Sequence, residues 1–249
     1  MSRPPNLCIY CEQPGRSKEH FWGKWLQEHI DPLYPNTKHT TTRINPITGE
    51  LDWAKGALTR QGNLRSLQIK GPCKACNNNW MRNTNERAKD VILRFIHKGV
   101  DELTAKESQC FATWTVMFSM TFECADINTM VTQQDERTFL MKNRRPPPNW
   151  SVLIGQFRGF KWREQMNHRA LKTGKERGIP DRGNAQCNVF TLGNCAVVTL
   201  GGAIAKGNQL KRFAERHHLR IIWPLSMAGS EKIVPLSDEA MWSIARYER

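Results

Sequence analysis

The chain has 249 residues, with 37 Lys and Arg against 23 Asp and Glu, a formal net charge of +14. Hydrophobic residues make up 39% of it and charged residues 24%, the proportions of a folded chain, and nine Trp with ten Phe argue against disorder. The weakly polar runs 111–122 and 195–205 fall short of the roughly 20 residues a membrane span needs. The N-terminal MSRPPNLCIYC has no apolar core for a signal peptide, so a reducing cytoplasmic setting with no membrane partner is expected.

Eight cysteines are present, and four form two CxxC pairs, Cys8-Ile-Tyr-Cys11 and Cys73-Lys-Ala-Cys76. In a reducing compartment such pairs suit tetrahedral zinc better than disulfides, because a two-residue gap lets both thiolates reach one metal. A redox CxxC or two unrelated half-sites are the alternatives. One shared zinc is favoured, since each pair alone leaves two coordination positions open. Just after Cys11 come Ser17, Lys18, Glu19 and His20, and then Trp22, Trp25 and Leu26, which suggest a short helix. Residues 38–70 are rich in Thr, Asn and Gly and read as a variable loop leading to a strand around Leu67, Gln68 and Ile69. Asn77, Asn78, Asn79 and Trp80 follow Cys76 directly. Ala88, Val91, Ile92, Phe95 and Ile96 then recur at i, i+3, i+4, i+7 and i+8, an apolar helical stripe that Gly99 ends.

Phe111, Trp114, Met117, Phe118 and Phe122 make a second helical stripe. Residues 143–149, NRRPPPN, form a stiff basic connector, 150–157 a strand, and 187–190 with 196–200 a hairpin turning at Leu192, Gly193 and Asn194. Residues 210–217 read as helix, 219–223 as strand, and 238–247 as a closing helix capped by Ser237. Core packing is the default for Cys110, Cys124, Cys187 and Cys195. The fold class expected is α+β, with a cysteine-rich unit over 1–100 and a mainly antiparallel α+β unit over 101–249.

A sequence pI near 9.7 points to a polyanionic partner, most simply nucleic acid. Residues 137–182 hold twelve Lys and Arg and three acids, with Trp150, Phe157, Phe160 and Trp162 lying among them as stacking groups.

An acid-His dipeptide bracketed by Cys pairs, with Asn directly after the last Cys, resembles the HNH (ββα-metal) nucleases. The pattern is that of their four-cysteine branch, which includes endonuclease VII-type enzymes. Bacterial and phage HNH proteins share the form CxxC…EH…W…CxxCN-x-x-W, which residues 8 to about 97 fit. The resemblance implies a metal-dependent endonuclease acting on DNA, or alternatively RNA, with Cys8, Cys11, Cys73 and Cys76 on a structural zinc. It implies His20 as general base, with Glu19 and Asn77 on a catalytic Mg²⁺ or Mn²⁺, and Asn78 as ligand if the register shifts by one. Asn77 could instead cap the helix. Asn63 is the candidate for the middle motif position, with Asn45 behind it. Relatives often carry Asp where this chain has Glu19, and Asn77 stands at the third motif position in place of His. The chemistry suits these residues: a neutral His takes a proton from water near pH 7, and a hard cation takes oxygen donors. Lys18, Lys24, Arg82, Arg144 and Arg145 are the candidate phosphate contacts, and a homodimer is compatible with the pattern. The competing readings are a zinc-dependent nucleic-acid binder that does not cut, and an RNA-cleaving toxin or defence nuclease.

Overall fold

The computed structural model describes residues 6–20, 22–30, 38–41, 43–44, 51–52, 58–61, 67–163, 165–173, 183–229 and 234–246, with backbone alone at 19, 38–41, 43–44, 51–52, 58–61 and 128. Strand β1 (Arg16–His20) is followed by the short helix α1 (Lys24–Gln27). Four short strands come next: β2 (Lys38–Thr41) pairs with β5 (Leu58–Gln61), and β3 (Arg43–Ile44) with β4 (Leu51–Asp52). Strand β6 (Gln68–Cys73) returns antiparallel to β1. From Lys74 the chain is helical to Lys98, as α2 (Lys74–Cys76), a π turn (Asn77–Met81) and α3 (Arg82–Lys98). The helix expected from the apolar stripe is therefore present, and it begins before Asn77. Cys73 holds the N-cap position, its sulfur accepting from the Cys76 N–H, so Asn77 is not the cap.

Gly99 ends α3 with φ +85°, a conformation costly for other residues. A Cβ there would lie 2.6 Å from Gln156 Oε1, which accepts from the Val100 N–H. Helix α4 (Ala105–Phe122) follows, started by a capping box in which the Thr104 hydroxyl accepts from the Glu107 N–H and the Glu107 carboxylate accepts from the Thr104 N–H. The Thr104 N–H and hydroxyl, with Arg94 behind them, hold the Glu107 carboxyl below its ordinary 4.5. A depressed acid contributes stability above its unfolded pKa that is lost as pH falls through the folded value. Melting temperature followed from about pH 6 down to about pH 3 should fall less steeply in Glu107→Gln than in the parent chain. Equal slopes would show that this carboxylate adds nothing to stability.

After α5 (Gln134–Asn143), strands β7 (Trp150–Gln156), β8 (Met166–Leu171), β9 (Ala185–Leu192), β10 (Cys195–Gly202) and β11 (Arg220–Trp223) form one antiparallel sheet in the order β11-β7-β10-β9-β8. Helix α6 (Gly207–Arg216) lies between β10 and β11, and α7 (Asp238–Ala245) closes the described chain with Ser237 as its cap. Strand alternation divides the sheet residues between two cores. Val152, Ile154, Phe190, Leu192 and Val197 join the core that contains α3, α4 and the four cysteines. Leu153, Val189, Ala196, Val198 and Leu200 join the core of Leu210, Phe213, Met241 and Ile244 from α6 and α7. Both faces of the sheet are thus covered, which explains why β7, β9 and β10 are almost wholly buried. No helix among the described residues is long and apolar enough to cross a membrane.

The basic stretch 137–182 differs from its reading as charges mixed with stacking groups. Trp150, Phe157 and Trp162 are core residues, and of the four aromatics only Phe160 is exposed. Arg137 is buried too, paired with Glu123.

Candidate metal centre and the His20 face

The two CxxC segments meet at one end of the β1–β6 ladder. Cys73 ends β6, and the Ile9 N–H bonds the Gly71 carbonyl, which lays the first CxxC turn across the second strand. Neither intervening residue of that turn is a mere spacer: Ile9 and Tyr10 are fully buried. Tyr10 donates its hydroxyl to the Met117 carbonyl (2.9 Å), stands 2.8 Å from the Thr121 hydroxyl, and sets its ring edge-on to Trp80. Burial pushes its phenol up, so it stays neutral.

The sulfurs of Cys8, Cys11, Cys73 and Cys76 all lie within 4.8 Å of one another, and Cys11 and Cys73 are 3.6 Å apart. Four thiolates about 2.3 Å from a tetrahedral zinc would be separated by about 3.8 Å, so the cluster has the size and donor set for that ion. The surrounding donors fit as well. Cys8 Sγ accepts from the N–H groups of Tyr10 (3.5 Å) and Cys73 (3.2 Å), and Cys73 Sγ from that of Cys76 (3.4 Å). Burial pushes the Cys8 thiol up, but the N–H groups of Cys11, Tyr10 and Cys73 outweigh it and bring it down to about 7. Burial raises Cys11 and Cys76 above the ordinary thiol range, and the nearby Trp80 side chain works against the rise at Cys76. Arg144 lies over the Trp80 ring, 5.0 Å from its centroid, with its charge facing the Cys76 thiol. Trp80 and Arg144 therefore support the cysteines from outside, a function that CxxC spacing gives no sign of.

The ladder register positions the other candidates. Arg16 faces Cys73 at the cluster end, whereas Glu19 faces Ile69 and His20 faces Gln68 at the far end. A bulge between Arg16 and Lys18 bends β1 between the two. His20 is thus about 13 Å along the strand from the residue opposite Cys73. Asn77, half-buried, begins the π turn one residue past Cys76, toward the cluster end. Such a widened turn inside an α-helix is often found at functional sites. The Glu19 side chain lies outside the described residues, as do Asn63 and Asn45.

Strand alternation puts Lys18 and His20 on one face with Gln68 and Lys70. The Gln68 amide nitrogen stands 3.4 Å from His20 Nε2. An amide nitrogen only donates, so this contact is a hydrogen bond when Nε2 is unprotonated; Nδ1 is buried with no partner among the described residues. Lys18 and Lys70 are exposed and directly opposed, a like-charge pair that an anion would relieve. Of the other basic candidates, Lys24, Arg82 and Arg145 are exposed, Arg145 over the Phe139 ring.

A search of protein-family models, of curated proteins and of solved structures found no match to this chain.

Proposed function

We propose that this chain is a metal-dependent endonuclease of the HNH kind that hydrolyses phosphodiester bonds in DNA, on a scaffold held by zinc at Cys8, Cys11, Cys73 and Cys76. The observation that carries the reading is a strand–strand–helix unit with a four-sulfur cluster at one end and His20 on a basic face at the other. In this reading His20 Nε2, released from the Gln68 amide when substrate binds, takes the proton of the attacking water. Lys18 and Lys70 hold the phosphate backbone beside it, and the resemblance gives Glu19 and Asn77 to a Mg²⁺ or Mn²⁺. Such an ion, when bound, neutralises charge on the scissile phosphate and on the leaving oxygen.

The opposed, exposed Lys18 and Lys70 favour a second reading, in which the same basic face grips nucleic acid without cutting it. Plasmid nicking separates the two. The parent chain should nick supercoiled DNA with Mg²⁺ or Mn²⁺ and not with EDTA. His20→Ala should lower the rate about 10²- to 10⁴-fold while leaving zinc content and melting temperature unchanged. A variant that cuts like the parent removes His20 from the mechanism. Parent and variant that are both inert, yet both retard DNA in a gel, establish the binder, and a parallel RNA substrate tests the remaining alternative.

A further inference from the structure

The loop joining β7 to β8 is pinned to the start of α7. Asp238 accepts from the Phe160 N–H (3.0 Å) and the Trp162 N–H (2.9 Å). A Cβ at Gly159 would lie only 2.5 Å from the same carboxylate, so glycine permits the close approach. These contacts turn Trp162 inward, 1% exposed, where its ring meets Trp242 of α7 with centroids 4.9 Å apart. They leave two rings facing solvent on the same loop–helix junction: Phe160 at 55% exposure and Trp242 at 44%. Among the described residues these are the large aromatics left exposed to that degree. Arg158, Lys161 and Arg163 alternate with the buried ring positions along the loop, and all three are exposed. Lys161 lies near the Asp238 and Glu239 carboxylates and helps hold both below their ordinary values, whereas neither Arg158 nor Arg163 shares an ion pair with a described residue.

We propose that this junction is a binding surface for single-stranded nucleic acid, with unpaired bases stacking on Phe160 and Trp242 and backbone phosphates meeting Arg158, Lys161 and Arg163. Rings held rigid by a helix and a pinned loop offer flat apolar faces, and the interleaved cations follow a polyanion. Duplex bases hide their faces in the stack, so the rings distinguish single strands from double. The inference shares with the proposed function a nucleic-acid partner, and it requires no cleavage.

Full-length protein is titrated against fluorescently labelled oligo(dT), oligo(rU) and a mixed-sequence duplex, with EDTA present to prevent cutting. Phe160→Ala and Trp242→Ala should each weaken single-strand binding about fivefold or more and leave duplex binding within about twofold. Phe160→Trp should retain single-strand binding, and Trp242→Phe replaces Trp242→Ala if the latter fails to fold. Unchanged affinity for both single strands in the alanine variants overturns the proposal. Equal losses for single strands and duplex also overturn it, since the rings would then not be reading bases. Failure of the nuclease reading gives a different pattern, with no plasmid nicking under Mg²⁺ or Mn²⁺ while ring-dependent single-strand binding persists.

Discussion

Cys76→Ser is expected to release the metal and to lower the melting temperature by roughly 10–20 °C. Structural zinc contributes about 10–16 kcal/mol to the folding of isolated zinc-finger peptides. Here only part of that is at stake, because Ile9, Tyr10 and Trp80 also hold the cysteine turns by burial and by the hydroxyl contacts to α4. A loss of about 5 kcal/mol is therefore a reasonable expectation, and a chain of this length shifts by about 2–4 °C per kcal/mol. The loss spreads beyond the cluster, since Tyr10 and Trp80 belong to the same core as α3 and α4. Metal content by chelator assay and thermal unfolding by circular dichroism check the result. A zinc-free Cys76→Ser protein that melts with the parent would show that the sulfur cluster is a passive core element.

Arg137→Ala is expected to cost about 3–5 kcal/mol, the usual result of removing one partner from a buried ion pair. Arg137 is 1% exposed and Glu123 fully buried, with Arg137 NH2 at 3.1 Å from Glu123 Oε1 and NH1 donating to the Met120 carbonyl. Burial works against the guanidinium charge, but the facing Glu123 carboxylate outweighs it and holds the Arg137 pKa above its ordinary value. Glu123 also accepts from the Val131 and Thr132 N–H groups, the Thr132 hydroxyl and the Gln186 amide. Gln186 in turn accepts from Asn188, which reaches Thr199 and, through it, Ser119 of α4. Asn188 Oδ1 also lies 2.6 Å from His168 Nδ1, whose other ring nitrogen faces the Thr129 carbonyl. One carboxylate thus sets the direction of a polar chain between α4 and the sheet. Its loss of charge balance should appear as a melting temperature lower by about 6–20 °C. The double variant Glu123→Gln with Arg137→Met should recover part of that, because it removes the stranded charge and keeps an acceptor for the Val131 and Thr132 N–H groups. A single-variant loss under about 1 kcal/mol would mean that water reaches the pair.

Several elements were legible along the chain because their signals are local. The stripe through Ala88, Val91, Ile92, Phe95 and Ile96 repeats with the helical period, and all five residues are buried on α3. The turn at Gly193 and Asn194 separates two apolar runs that pair as β9 and β10. Ser237 could be read as a cap because its side chain serves the N–H three residues on, a bond made within one turn. Strand β8 and helix α5 carried no such signal. All six residues of β8 are half-buried, and α5 has only Arg137 and Leu140 fully buried, so neither shows a clear apolar period.

The candidate site divides in the same way. Cysteine spacing by itself picked out the four-cysteine set, because two thiolates separated by two residues can share a metal whatever surrounds them, and the structure brings the four sulfurs together in a cluster that could hold one. The shared face of Lys18 and His20 follows from strand alternation, but that 16–20 is a strand came from its pairing with β6. Only the tertiary structure decided the rest. It made Tyr10 an anchor to α4, put Arg144 over Trp80 beside Cys76, and buried Trp150, Phe157 and Trp162 while leaving Phe160 exposed. It also matched Arg137 with Glu123 in the core and set His20 at the end of the ladder away from Cys73. These outcomes depend on which distant surfaces meet: the same Arg or Trp is solvated in one packing and buried in another, and the energy that decides between them comes from partners far along the chain.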